Sequence, residues 1–146
     1  MVADRAIRAE VVVAADAAEA FGIFTAGVDT WWRDYFNLPN ATAARLEPGL
    51  DGRFLELEDD GPGFEVGRIT AWEPGHRLAL SWRQANWEEG EQTLVEVAFT
   101  PADGGTLVAL THTGWSDVIS DPGAAEGYAE GWQELLGWYA ETAAAS

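Results

Sequence analysis

Chemistry in this chain has few places to start. Its 146 residues contain two histidines, His76 and His112, and no cysteine. Thiolate catalysis, disulfides and cysteine-based metal sites are therefore excluded. The histidines are far apart and lack the His-x-x-x-His spacing of a helical zinc site, so no metal is expected. Ser81, Ser116 and Ser120 sit in no recognisable nucleophile context, and a hydrolytic triad would need one beside a histidine and a carboxylate. Carboxylates are abundant, with runs at Glu56-Leu57-Glu58-Asp59-Asp60 and Glu88-Glu89-Gly90-Glu91. Neither run has the spacing of a calcium loop, so both are expected to be solvated surface.

What remains is aromatic. Eight tryptophans, Trp31, Trp32, Trp72, Trp82, Trp87, Trp115, Trp132 and Trp138, are more than a small core needs. Each brings a large apolar area and one N–H that requires a partner when buried. So many rings beside so few reactive groups predict a protein that encloses something apolar. No residue is assigned a catalytic role and no cofactor is expected. The candidate ligand-binding residues are Trp31, Trp82, Val97, His112, Trp115, Tyr128 and Trp132. Two histidine readings stand side by side. His112 is either a buried structural imidazole bonded to a neighbouring carbonyl, or a polar anchor or general base at a cavity mouth. His76, after Pro74-Gly75, is expected in solvent. Of Trp31 and Trp32, one is expected in the core and one on the surface or at the cavity rim with Tyr35 and Phe36. Trp87 is expected in a loop, as a lid or simply exposed. Gly127 and Gly131, four apart, either let a helix approach a sheet or leave cavity volume below it. Arg68 either holds an acidic ligand group or lies on the wet face.

These residues need a scaffold, and the periodicity supplies one. Ile7–Val13 predicts a strand. Asp16 caps a helix in which Phe21 and Phe24 face inward, with Glu19 placed to complete a capping box. A second short helix is expected over residues 29–32, then a weak strand over residues 43–46. From Gly52 the pattern alternates as strands do. Segments 53–58, 64–72, 78–82, 92–100 and 106–112 form an antiparallel meander broken at Asp59–Gly63, Glu73-Pro74-Gly75 and Pro101–Gly105. Leu78, Leu80 and Trp82 share one face; Val95, Val97 and Phe99 share another. Asp121-Pro122 predicts the start of a closing helix that runs to Ala143, with Tyr128, Trp132, Leu135 and Tyr139 as its apolar stripe. The fold class is therefore α+β: a curved antiparallel sheet of six or seven strands wrapped around a long C-terminal helix, as one domain over residues 1–146. A ligand cavity is expected between helix and sheet.

Net charge is −17, from 25 acids against eight arginines. Such a surface repels nucleic acid, because phosphate binding requires clustered cations. No stretch is long and apolar enough to span a membrane, and the N-terminus lacks a signal-peptide core, so a cytoplasmic location is expected.

The order of motifs resembles one known group. The Ala-Glu-Ala-Phe helix with Trp31-Trp32 is followed by Gly67-Arg68-Ile69, Glu73-Pro74-Gly75-His76-Arg77-Leu78 and Leu80-Ser81-Trp82. Thr93–Phe99, Gly104-Gly105-Thr106, Leu110–Gly114 and Gly131-Trp132 complete the pattern. Together they are similar to the SRPBCC superfamily, of START and Bet v 1 type, in the branch named after the activator of Hsp90 ATPase. The resemblance runs from about Ile7 to Trp138. It implies a helix-grip fold with a hydrophobic ligand cavity. It implies no single activity, since such folds host unrelated functions. Three functions follow in order: binding of a hydrophobic or aromatic small molecule, a polyketide-cyclase-like reaction in the same cavity, and modulation of an Hsp90-type chaperone. A second copy of the chain, as a homodimer, is a further candidate partner.

Overall fold

The computed structural model describes residues 6–61 and 63–146. Strand β1 (Ile7–Val13) leads into helix α1 (Ala17–Phe24), a 3-10 turn (Val28–Thr30) and β2 (Ala41–Leu46). Then come β3 (Arg53–Glu58), β4 (Phe64–Glu73), β5 (Arg77–Trp82), β6 (Thr93–Ala102) and β7 (Gly105–Thr113). A second 3-10 turn (Trp115–Asp117) precedes the long helix α2 (Tyr128–Ala144). All seven strands form one antiparallel sheet in the order β1-β7-β6-β5-β4-β3-β2. The expected α+β architecture is therefore present, and no helix is long and apolar enough to cross a membrane among the described residues.

Local chemistry explains most element boundaries. Asp16, in extended conformation, accepts from the Glu19 N–H at 2.8 Å and so caps α1. That helix ends where the Thr25 hydroxyl bonds back to the Phe21 carbonyl at 2.7 Å. The second helix expected over residues 29–32 is a three-residue 3-10 turn. A larger difference lies near the C-terminus. Asp121-Pro122 does not start α2; residues 122–127 form consecutive turns and the helix begins at Tyr128. Gly127, at φ 86°, supplies a left-handed residue that breaks the helical path just before it.

The sheet curls because three of its strand pairs slip register, between Ala41 and Ala43, Phe54 and Leu55, and Ile69 and Ala71. At Gly67 the strands approach so closely that a Cβ would collide with the Ser81 carbonyl. The curl makes a half-barrel whose concave face receives α1 and α2. Strict alternation along β7 sends Thr106, Val108, Leu110 and His112 inward. The same alternation on β6 sends in Thr93, Val95, Val97 and Phe99. Both sheet edges are met by side chains: Gln133 on α2 donates to the Glu10 carbonyl of β1 at 3.1 Å. Asp29 accepts from the Ala44 N–H of β2 at 2.9 Å.

Candidate ligand site

Between the sheet and α2 the chain fills its own interior. Trp31 and Trp32 are both buried, at 1% and 7% exposure, so neither rests on the surface. Their indole N–H groups donate to the carbonyls of Ile23 (3.0 Å) and Tyr35 (3.2 Å). Trp32 packs on Phe54, Trp82 and Trp132 with centroids 5.1 to 5.9 Å apart. Trp31 packs on Phe24 and Tyr139 at 5.0 and 5.2 Å. The space left among these rings is about 10 Å³. That is room for one water at most.

His112 is wholly buried at one flank of this cluster. The Trp132 indole N–H donates to its Nδ1 at 3.0 Å. An indole can only donate, so Nδ1 must accept and the imidazole proton sits on Nε2. Nε2–H then donates to the Thr93 hydroxyl at 2.6 Å, and that hydroxyl donates on to the Trp82 carbonyl at 3.3 Å. A second proton on the ring would face the indole N–H. Burial in this apolar shell lowers the His112 pKa to about 3. The imidazole is thus a neutral link in a directed chain of hydrogen bonds. Of its two readings, the buried structural one fits, with an indole and a hydroxyl in place of the expected carbonyl. Trp115 covers it, 4.2 Å between centroids, and donates to the His112 carbonyl at 3.0 Å.

The open space lies on the other side of Trp132. A cavity of about 370 Å³ runs between residues 34–37 and the first turns of α2. Its apolar wall is Tyr35, Phe36, Tyr128, Trp132 and Leu135, and its polar lining is Asp34, Asn37, Gln84 and Glu126. Gly127 and Gly131 form the floor on the helix side. The three atoms nearest a Cβ on Gly131 all belong to the Tyr35 ring, the closest at 3.3 Å, so this glycine leaves room under an aromatic side chain. The Tyr128 hydroxyl receives the Trp82 indole N–H at 3.3 Å, and burial raises its pKa. Tyr35 donates to Glu134 at 2.6 Å; that bond, with the charges of Glu134, Asp34 and Glu130, raises its pKa as well. Both phenols therefore stay protonated; Tyr35 has its proton committed to Glu134, and Tyr128 can donate its own.

One buried carboxylate sets the cavity's outer wall. Glu56, 1% exposed, accepts from the backbone N–H of Asn37 (2.7 Å) and Leu38 (2.9 Å) and from the Asn37 side-chain amide (2.8 Å). The Asn37 amide oxygen in turn accepts from the Ala85 N–H at 2.9 Å. Strand β3 thereby fixes both loops that carry Asn37 and Gln84. Glu56 was expected in solvent with its acidic neighbours. Phe54, Leu55 and Glu56 are buried in succession along β3, so alternation gave no signal for this carboxylate.

The seven expected ligand residues divide by location. Tyr128 and Trp132 line the open cavity; Trp31 and Trp82 line the residual interior void with Trp132. Val97, His112 and Trp115 line neither, because neighbouring rings and strands cover them. Trp87 is buried rather than exposed, at 4%, with its N–H 3.4 Å from Asp121. Arg68 lies on the wet face, paired with Glu65 at 3.2 Å, and His76 is exposed. Among the described residues, no three His, Asp or Glu side chains group as metal ligands.

A curled seven-stranded sheet closed by a C-terminal helix, with its opening at the helix head, defines the helix-grip class. Comparison identifies the group within it. The model of the family described as activator of Hsp90 ATPase homolog 1-like protein matches residues 14–141, and the chain belongs to that family. Among solved structures, an AHSA1-like protein from Rhizobium etli is 31% identical over 98% of this chain and 84% of its own, with a TM-score of 0.62. An anthrahydroquino-γ-pyrone synthase, Txn09, solved as a complex, is 30% identical over 93% of this chain and 95% of its own, with a TM-score of 0.65. A Mesorhizobium loti protein at 18% identity shares the fold, with a TM-score of 0.68 over 94% of this chain and 95% of that one. No curated protein matches.

Proposed function

We propose that this protein binds a hydrophobic, aromatic small molecule in the cavity at the head of α2. The carrying observation is the pairing of a filled interior with an open, ring-walled space of about 370 Å³. That volume falls in the range of small-molecule pockets, roughly 300–1,000 Å³, and its few polar groups suit orientation more than reaction. No histidine lines it: His112 lies behind Trp132 with both ring nitrogens occupied. The test is native mass spectrometry of protein purified from its own source without denaturation. A discrete added mass, absent from the Gly131→Leu variant whose side chain fills the cavity, supports binding. A mass retained by that variant places the ligand elsewhere and overturns the reading.

A second reading is favoured by the likeness to Txn09, a γ-pyrone synthase by its description. In it the same cavity folds a polyketide-like substrate, and catalysis comes from shape and orientation, with a protonated Tyr128 donating to a developing oxyanion. Turnover of a linear poly-β-ketone to a cyclised product, lost in Tyr128→Phe, distinguishes it from simple binding.

A further inference from the structure

We propose that the ligand of this cavity carries a positively charged amine on its apolar body. The inference rests on the binding reading above and names the chemical class that the site selects. Among the described residues, the charged ones lining the cavity are Asp34 and Glu126, both exposed at its mouth, and no arginine lines it. Neither carboxylate is held in any of the ion pairs formed by the arginines Arg45, Arg53, Arg68 and Arg77. Arg33, next to Asp34 in sequence, is turned onto the Trp138 ring at 4.9 Å.

The rest of the mouth has the same sign. Glu134 is bonded to Tyr35, and Glu130 lies close enough to act on the same phenol. Asp121, whose carboxylate lies 3.4 Å from the Trp87 indole nitrogen, also acts on Tyr128. One feature opposes this field: the N-terminus of α2, uncapped by any side chain, opens here. A helix start is worth roughly half a positive charge. Against at least four nearby carboxylates it does not reverse the sign. The apolar wall adds to the preference, since aromatic rings attract an ammonium group through their negative faces. Two carboxylates and an aromatic wall, with no arginine in the lining, are the composition of an ammonium site.

The experiment uses three probes with one ring system: 1-naphthylmethylamine, protonated at pH 7, 1-naphthylmethanol and 1-naphthylacetate. Each is titrated calorimetrically into the full chain at low salt. The comparison variants are Asp34→Asn/Glu126→Gln and a charge-matched control, Asp60→Asn/Asp103→Asn, at two exposed turns away from the cavity. Asparagine tolerates the left-handed backbone of Asp34 (φ 66°), so the test variant keeps its loop. The expected order is amine, alcohol, acetate, with the amine about tenfold tighter than the alcohol. That ratio should fall to about twofold in Asp34→Asn/Glu126→Gln and persist in the control. Alcohol binding as tight as amine binding overturns the charge proposal and leaves the binding reading standing. Equal loss of preference in the control also overturns it, because bulk charge then suffices. If none of the three probes binds, the cavity is no aromatic site and both ideas fall together.

Discussion

Trp132 is a shared wall between two regions that ended differently. On its inner side, Trp31, Trp32, Phe54 and Trp82 close to within about 10 Å³ of complete filling. On its outer side, Tyr35, Phe36 and Tyr128 leave about 370 Å³ open. Ring content therefore does not decide which region is hollow. The inner rings come from regular elements or turns packed directly on the sheet, and each indole N–H there reaches a carbonyl, a phenol or an imidazole. Once these bonds are made the rings interlock at edge and tilted angles, and no room is left. The outer region is framed by chain that cannot close over it. Gly127 and Gly131 withhold side chains from below, and Glu56 holds the opposite loop at a fixed distance.

The largest expected effect breaks the inner half of this comparison. Trp82→Ala removes a ring that touches Trp32, Phe54, His112 and Trp132 and takes a donor from Tyr128. Loss of about 3–5 kcal/mol in denaturant unfolding is expected. Were the interior a collapsed ligand cavity with slack in it, the cost would come out under about 1 kcal/mol.

Next in size is the device that keeps the outer region open. Glu56→Leu strips the backbone N–H groups of Asn37 and Leu38 of their buried acceptor. Each unsatisfied donor costs about 1–3 kcal/mol, so about 3 kcal/mol in all is expected. Faster amide exchange at Asn37, Leu38 and Ala85, with β5 and β6 unchanged, would locate the effect in the cavity wall. Exchange that speeds up uniformly would make Glu56 a general stability residue instead.

A third prediction uses His112. Unfolded, its pKa is near 6.5; folded, burial lowers it to about 3. Between those values the unfolded chain binds more protons, so stability rises with pH and is lost as pH falls below 6.5. The slope approaches about 1.4 kcal/mol per pH unit within that window. Carboxylates with lowered pKa, such as Glu47 at about 2, contribute only at more acid pH. Comparing wild type with His112→Gln between pH 6.5 and 5 therefore isolates the imidazole. Equal slopes would mean that the Trp132–His112–Thr93 chain tolerates a charged ring.

The sequence carried the scaffold better than the site, for a physical reason. Strands β5, β6 and β7 announce themselves through alternation, and Asp16 through its capping geometry; both are local properties. Alternation also sent His112 inward. What alternation could not give was occupancy. Whether eight indoles enclose a space or fill it depends on partners distant in sequence, such as the Tyr128 hydroxyl that receives the Trp82 N–H or the Trp132 ring packed on Trp32. The cavity itself depends on non-local events: Asn37 drawn onto Glu56, and α2 starting at Tyr128 instead of beside Pro122.

The smallest expected effect sharpens the outer half. Gly131 lies inside α2, where glycine costs about 1 kcal/mol relative to alanine. If it were needed for backbone packing, Gly131→Ala would destabilise the fold. The three nearest atoms all belong to the Tyr35 ring, the nearest at 3.3 Å, and this exposed ring needs to give by only a few tenths of an ångström while its hydroxyl stays on Glu134. Stability should therefore rise by about 0.5 kcal/mol, while affinity for an aromatic probe falls as the floor of the cavity is raised. Opposite signs for stability and binding at one position mark a residue kept for space. A loss in both would return Gly131 to the packed interior and erase the distinction between the two sides of Trp132.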